Sequence, residues 1–257
     1  MTLGRKQSVS HEDFVRAMEN IEELVPRGQF FELFEKSVAA VRLAARGRRL
    51  AYAWSGGKDS QSLQAVCNEA GITECLMGIS QLEYRAFLQW TTDNMPDELT
   101  ILRNDWDLDW LVAHPTMLFP KDSATAGKWF SGVQHRAQRL YFKDNDVDGL
   151  LLGRRLADGN HCGKNGIYRD GKGVLRISPI MKWTHEDVLA SIHYLKLPLP
   201  PFYGWPRGYR CGTHSWAARQ WCRDDQHGWS EIWQIDQSIV TDAARRFDSA
   251  KLFLDQL

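Results

Sequence analysis

Apolar positions along the chain recur first at helical spacing and then in short runs separated by turn residues. Phe14, Met18, Ile21 and Val25 fall three or four apart, and Ser10 with Asp13 has capping-box spacing, so a first helix is predicted to end before Pro26. The first ten residues read as polar and loosely held. A second helix is predicted from about Phe30, with Phe31, Phe34, Val38 and Val41 on one face and Gly47 as a left-handed stop.

From Arg49 the pattern becomes strand–helix alternation. Residues 50–54 form a short apolar run, Ser55-Gly56-Gly57-Lys58-Asp59-Ser60 follows, and Leu63, Val66, Cys67 and Ala70 then share a helical face. Further strands are predicted at residues 74–79, 99–102, 149–152 and 174–177. Helices are predicted around Phe87 and Trp90, over residues 128–142, and after Thr184 with Asp187 as its capping partner. In the 128–142 helix, Phe130, Val133, Ala137, Leu140 and Tyr141 share a face that excludes His135, Arg136 and Arg139. This alternation predicts an α/β fold, a parallel sheet flanked by helices. Leu197-Pro198-Leu199-Pro200-Pro201 forces extended backbone and marks a boundary. The predicted organisation is an N-terminal helical appendage (1–48), an α/β domain (49–205) and a C-terminal loop with a Trp-rich helical segment (206–257).

The 257 residues carry 32 Lys+Arg against 32 Asp+Glu, which excludes a general coater of nucleic acid and makes any anion site local. Five cysteines without dense spacing do not form a disulfide framework. No apolar run approaches the ~20 residues that cross a bilayer. The start, MTLGRKQSVSHEDF, lacks a signal peptide's apolar segment. A soluble, cytoplasmic protein with no membrane partner is expected.

The loop of residues 55–60 lies where a strand hands over to a helix, so its glycines allow close backbone approach and the amides at the helix start favour an anion. Lys58 adds a charge, Ser55 and Ser60 add hydroxyls, and Asp59 either shapes the loop or helps to hold magnesium on phosphate oxygens. A tight turn with a helix cap would explain the glycines and one serine, but not all six residues. The G-x-x-x-x-G-K-[ST] pattern is not met, since only Gly56 and Gly57 precede the lysine.

The strand with this loop resembles the pyrophosphate loop of the ATP pyrophosphatases, the adenine nucleotide α-hydrolase-like fold. Downstream, Gly153-Arg154-Arg155, Ser178-Pro179-Ile180-Met181-Lys182-Trp183-Thr184, Leu197-Pro198, Pro201-Phe202-Tyr203 and Gly208-Tyr209 resemble the phosphoadenosine phosphosulfate reductase family within it, over roughly residues 49–211. The resemblance implies a five-stranded parallel sheet with ATP or a sulfonucleotide at the strands' carboxyl ends. It also implies an ATP pyrophosphatase-type enzyme that cleaves magnesium ATP at the α-phosphate and activates a second substrate as an adenylate. Residues 55–60 with Gly153, Arg154 and Arg155 would bind the nucleotide, and Lys58, Asp59 and Arg154 would be catalytic.

Two alternatives stand beside this reading. One is a sulfonucleotide reductase using Cys211 or Cys222 as a thiolate, with Arg210 and His214 beside Cys211. The complete loop opposes it, because the reductases' ligand has no β,γ-pyrophosphate to hold. The other is a non-catalytic nucleotide-binding partner module. Cys211, His214, Cys222 and His227, with His161 and Cys162 as additions, can supply zinc ligands, although their spacing matches no common finger. Trp183, Trp205, Trp216, Trp221, Trp229 and Trp233 read first as packing residues. A small nucleotide and an unknown second substrate are therefore the expected partners; a polynucleotide acceptor is the weaker option, and a homo-oligomer is compatible.

Overall fold

A computed structural model describes residues 9–257. Residues 1–8, most of the start expected to be loose, lie outside the described part. Val9 is already buried.

Before the sheet come α1 (His11–Glu19), α2 (Ile21–Leu24) and α3 (Arg27–Ala44). The capping box forms as expected, Ser10 accepting from the Asp13 amide, but the first predicted helix is broken at Asn20. Then follow β1 (Leu50–Ala53), α4 (Lys58–Glu69), β2 (Cys75–Ile79), α5 (Arg85–Asn94), β3 (Leu99–Arg103), α6 (Leu108–Ala113), α7 (Ser123–Trp129) and α8 (Arg136–Asp144). The chain continues through β4 (Gly149–Leu151), β5 (Ile167–Arg169), β6 (Leu175–Ile177), α9 (His185–Tyr194) and the short α10 (Gly208–Cys211). It ends in α11 (Asp225–Ile235), α12 (Gln237–Ala243) and α13 (Asp248–Leu254).

The strand order is β3-β2-β1-β4-β6-β5. Five strands are parallel, as predicted, and β5 adds a sixth, antiparallel to β6 at the edge. That strand escaped the pattern because Ile167–Arg169 offers only three residues with exposed flanks. Alternation in β1 divides the core: Leu50 and Tyr52 face the larger apolar cluster with α3, α4 and α9, while Ala51 faces Leu76, Ala137, Tyr141 and Leu150 under α8. The larger cluster runs from Val9 to Phe253. Trp183 and Trp229 are fully buried within it, their indole N–H groups donating to Ser37 Oγ and Ser249 Oγ at 3.0 Å.

The predicted helix over residues 128–142 is not uniform. Phe130–His135 is a π-helical insert between α7 and α8. A Cβ on Gly132 would collide with the Trp106 ring, so this close crossing needs glycine. The wider turn brings Phe130, Gln134 and His135 to one side, towards the ends of β1 and β4.

Candidate functional site

The loop of residues 55–60 leaves the carboxyl end of β1 and enters α4. Gly56 has φ of 69°, and a Cβ there would lie 2.7 Å from the Trp90 ring. That position thus requires glycine twice over. Ser60 Oγ donates to the Gly57 carbonyl at 2.9 Å and accepts from the Ser55 amide at 3.1 Å, closing the loop on itself. Gly57, the N-cap of α4, has no side chain to take the first amides of the helix. The N-terminus of a 12-residue helix is favourable ground for an anion.

Two cavities flank the loop. The larger, of about 640 Å³, is lined by Gly57, Asp59 and Ser60 on one side and by Tyr203, residues 210–214, Gln220 and Trp221 on the other. The second, of about 450 Å³, lies towards Gly78, Gln134, His135 and Arg154. Gly153 borders both, and a Cβ on it would approach the Asp59 carbonyl to 3.1 Å.

Ser55, Gly57, Asp59, Ser60, Gly153 and Arg154 are brought to these walls. Lys58 and Arg155 are not; they lie beneath them, 1% and 0% exposed. Lys58 Nζ is 2.8 Å from Asp59 Oδ2, Arg155 Nε is 2.8 Å from Asp59 Oδ1, and Arg155 Nη2 is 2.9 Å from Asp158 Oδ2. These two buried cations are balanced by two carboxylates of the cavity wall, so attraction for an anion falls to the α4 amides, Arg154 and Arg210. Arg154 donates from Nη1 to the Tyr168 hydroxyl at 2.6 Å and from Nη2 towards His135 Nε2 at 3.1 Å. Burial, reinforced by Arg154, holds His135 below its ordinary pKa, and its Nε2 is assigned as the acceptor of that bond.

Sequence reading did not identify how Tyr203 enters the site. Its hydroxyl accepts the Lys58 amide at 2.8 Å, fixing the first turn of α4. Burial raises its pKa further above the ordinary tyrosine value, so it stays a neutral hydroxyl. The Pro201-Phe202-Tyr203 motif was the available signal.

The proposed metal ligands do not converge. Among the described residues no group of three or more His, Cys, Asp or Glu is placed to hold a metal ion. Cys211 and His214 line the large cavity, whereas Cys222 Sγ accepts from Arg207 at 3.3 Å and His227 Nδ1 accepts from the Arg223 amide. Asp59, which could shape the loop or help to hold magnesium, has its carboxylate on Lys58 and Arg155. These residues do not make a resident magnesium site. Burial pushes the Cys222 thiol up to about 11, against the pull of Arg207, which removes it as a ready thiolate.

Residues 49–211 match the family described as the phosphoadenosine phosphosulfate reductase domain. No curated protein gives a sequence match. Among solved structures, a phosphoadenylyl-sulfate reductase from Candida auris is similar at 14% identity and a TM-score of 0.51, over 80% of this chain and 96% of that one. A U34-tRNA thiolase from Methanococcus maripaludis aligns at 16% identity and a TM-score of 0.43, over 100% of this chain and 88% of that one. An NMN synthetase from Francisella tularensis aligns at 13% identity and a TM-score of 0.45, over 88% and 93% respectively. At these identities the first likeness speaks to the fold alone.

Proposed function

Because the chain belongs to the phosphoadenosine phosphosulfate reductase domain family, we propose that it is an ATP pyrophosphatase-type enzyme that binds ATP over residues 55–60 and cleaves it at the α-phosphate. The observation that carries this reading is a complete Ser-Gly-Gly-Lys-Asp-Ser loop at a helix N-terminus, open to a cavity of about 640 Å³. The triphosphate's terminal groups lie over the α4 amides with Ser55 and Ser60, and magnesium arrives on those phosphates as part of the substrate. Arg154 meets the α-phosphate oxygens from the β4 side, where its fork suits bidentate contact. An oxygen of the second substrate forms a bond to the α-phosphorus, the bond to the bridging oxygen breaks, and pyrophosphate leaves with the electron pair. Donors fixed around the loop stabilise the charge that grows on it.

Incubation with ATP labelled at the α-phosphate and a panel of acceptors tests the reading. Acceptor-dependent AMP or adenylate formation is expected, reduced about a hundredfold in Arg154→Ala. Nucleotide binding without α,β cleavage for every acceptor would instead leave a binding module.

One observation favours a second reading: Cys211 lines the same cavity as the loop. In that case its thiolate attacks the sulfur of a sulfonucleotide, the nucleotide leaves, and a dithiol reductant such as thioredoxin releases sulfite from the cysteine S-sulfonate. Thioredoxin-dependent sulfite release lost in Cys211→Ser would support it, and release unchanged by that substitution would end it.

A further inference from the structure

Arg155, Arg176, Arg207 and Arg219 each hold a carboxylate: Asp59 and Asp158, Asp170, and Glu231 for the last two. Arg154 holds none among the described residues, but its donors reach Tyr168 and His135, whereas Arg210 keeps a donor unmet. It lies in the wall of the larger cavity, its Nε is buried with no hydrogen-bond partner, and it has no carboxylate among the described residues. The two carboxylates of the same wall, Asp59 and Asp158, are already engaged by Lys58 and Arg155. A buried N–H with no acceptor is costly until a ligand oxygen meets it.

Trp221 supplies a second, independent feature of that wall. It is 39% exposed, against 4% and 0% for Trp216 and Trp229, and its φ is 65°. A bulky residue occupies the left-handed region only when its surroundings enforce it. Here Arg207 Nη1 donates to the Gln220 and Trp221 carbonyls at 3.0 and 3.1 Å, while Glu231 accepts from the same guanidinium at 2.5 and 2.6 Å. Trp221 lines the cavity that Arg210 also lines, and it lies beyond residue 211, where the family match ends.

We propose that residues 210–221 form the acceptor subsite and that the acceptor is an organic acid with a flat apolar body, its carboxylate on Arg210 and its body against Trp221. This rests on the nucleotide-activating reading. The oriented carboxylate oxygen is then the nucleophile at the α-phosphorus, the α,β-bridging bond breaks, and an acyl adenylate and pyrophosphate form. The carboxylate is already deprotonated, so no general base is needed.

The test titrates the intact protein, loaded with α,β-methylene ATP, with benzoate, acetate and sulfate. Benzoate is expected to bind about tenfold more tightly than acetate, and Trp221→Ala to abolish that ratio. Arg210→Ala is expected to weaken both acids about tenfold while changing affinity for the ATP analogue by less than roughly threefold. No benzoate binding, equal binding of benzoate and acetate, or an Arg210→Ala variant that loses the analogue but keeps the acids overturns the assignment. Sulfate bound in preference to both acids overturns it too, in favour of a sulfur oxyanion. If the analogue fails to bind while the unloaded protein still holds benzoate through Arg210, the activation reading falls and the acid site stands.

Discussion

Arg155 stands 2.8 Å from the Asp59 carboxylate, and through it the second arginine of Gly-Arg-Arg props the glycine loop from below. Its remaining donors go to the Thr184 carbonyl at 2.8 Å, to Asp158, and towards His185 Nδ1 at 3.2 Å. Arg155→Ala would take the guanidinium away from Asp59 and open a void at a fully buried position. A loss of about 3 kcal/mol is expected, read as a lower urea midpoint. Arg154→Ala, which removes a cavity-lining guanidinium, should cost much less stability.

Tyr203→Phe deletes one oxygen and leaves the Lys58 amide without its partner at the start of α4. The expected cost is about 1–2 kcal/mol in chemical denaturation. Affinity for the ATP analogue should fall as well, because the first turn of α4 loses its tether. Unchanged affinity in a variant of reduced stability would mean that the hydroxyl serves the fold alone.

Acid should weaken the protein in a defined window. Burial, then the neighbouring charges of Arg155 and Lys58, hold His185 below its ordinary value of 6.5. The unfolded chain therefore binds this proton more readily than the folded one. Stability from neutral His185 is present above 6.5 and declines as pH falls from there towards the depressed folded value. Thermal melts from pH 8 to pH 5 should show midpoints falling on the acid side, and His185→Gln should flatten that slope.

Alkylation separates the two C-terminal thiols. With its pKa pushed up to about 11, Cys222 has roughly one thiol in a thousand ionised at pH 8. Iodoacetamide labelling of Cys222 in the native protein, followed by peptide mass spectrometry, should be very slow and rise steeply above pH 10. Rapid labelling at neutral pH would restore it as a candidate nucleophile.

Much of this architecture is written in local sequence. The runs that became β1, β2, β4 and β6 are bounded by polar or glycine residues, and the boxes at Ser10 and Thr184 form between residues three apart. The glycine loop could be read for the same reason, as its shape depends on its own six residues. What could not be read depends on distant partners. Nothing near Arg155 reveals that Asp59, almost a hundred positions earlier, will meet it and draw it away from the cavity surface. The Phe130–His135 insert is equally hidden, since its apolar spacing suits an ordinary helix and the wider turn accompanies a crossing with Trp106. The separation of the candidate zinc ligands was hidden likewise: Cys222 and His227 meet Arg207 and the Arg223 amide instead of one another.

Glu231, on α11, joins Arg207 to Arg219 and so closes the stretch between them into a ring tied by two ion pairs. Burial opposes the charge on this carboxylate, yet the two arginines keep its pKa below the ordinary value, so the tie persists well into mildly acidic solution. The tail helices thus act as the keystone of an arch whose inner face is the cavity wall. A protein trimmed to the family boundary at residue 211 would keep the residues of all six strands but lose that arch and the cavity wall it holds.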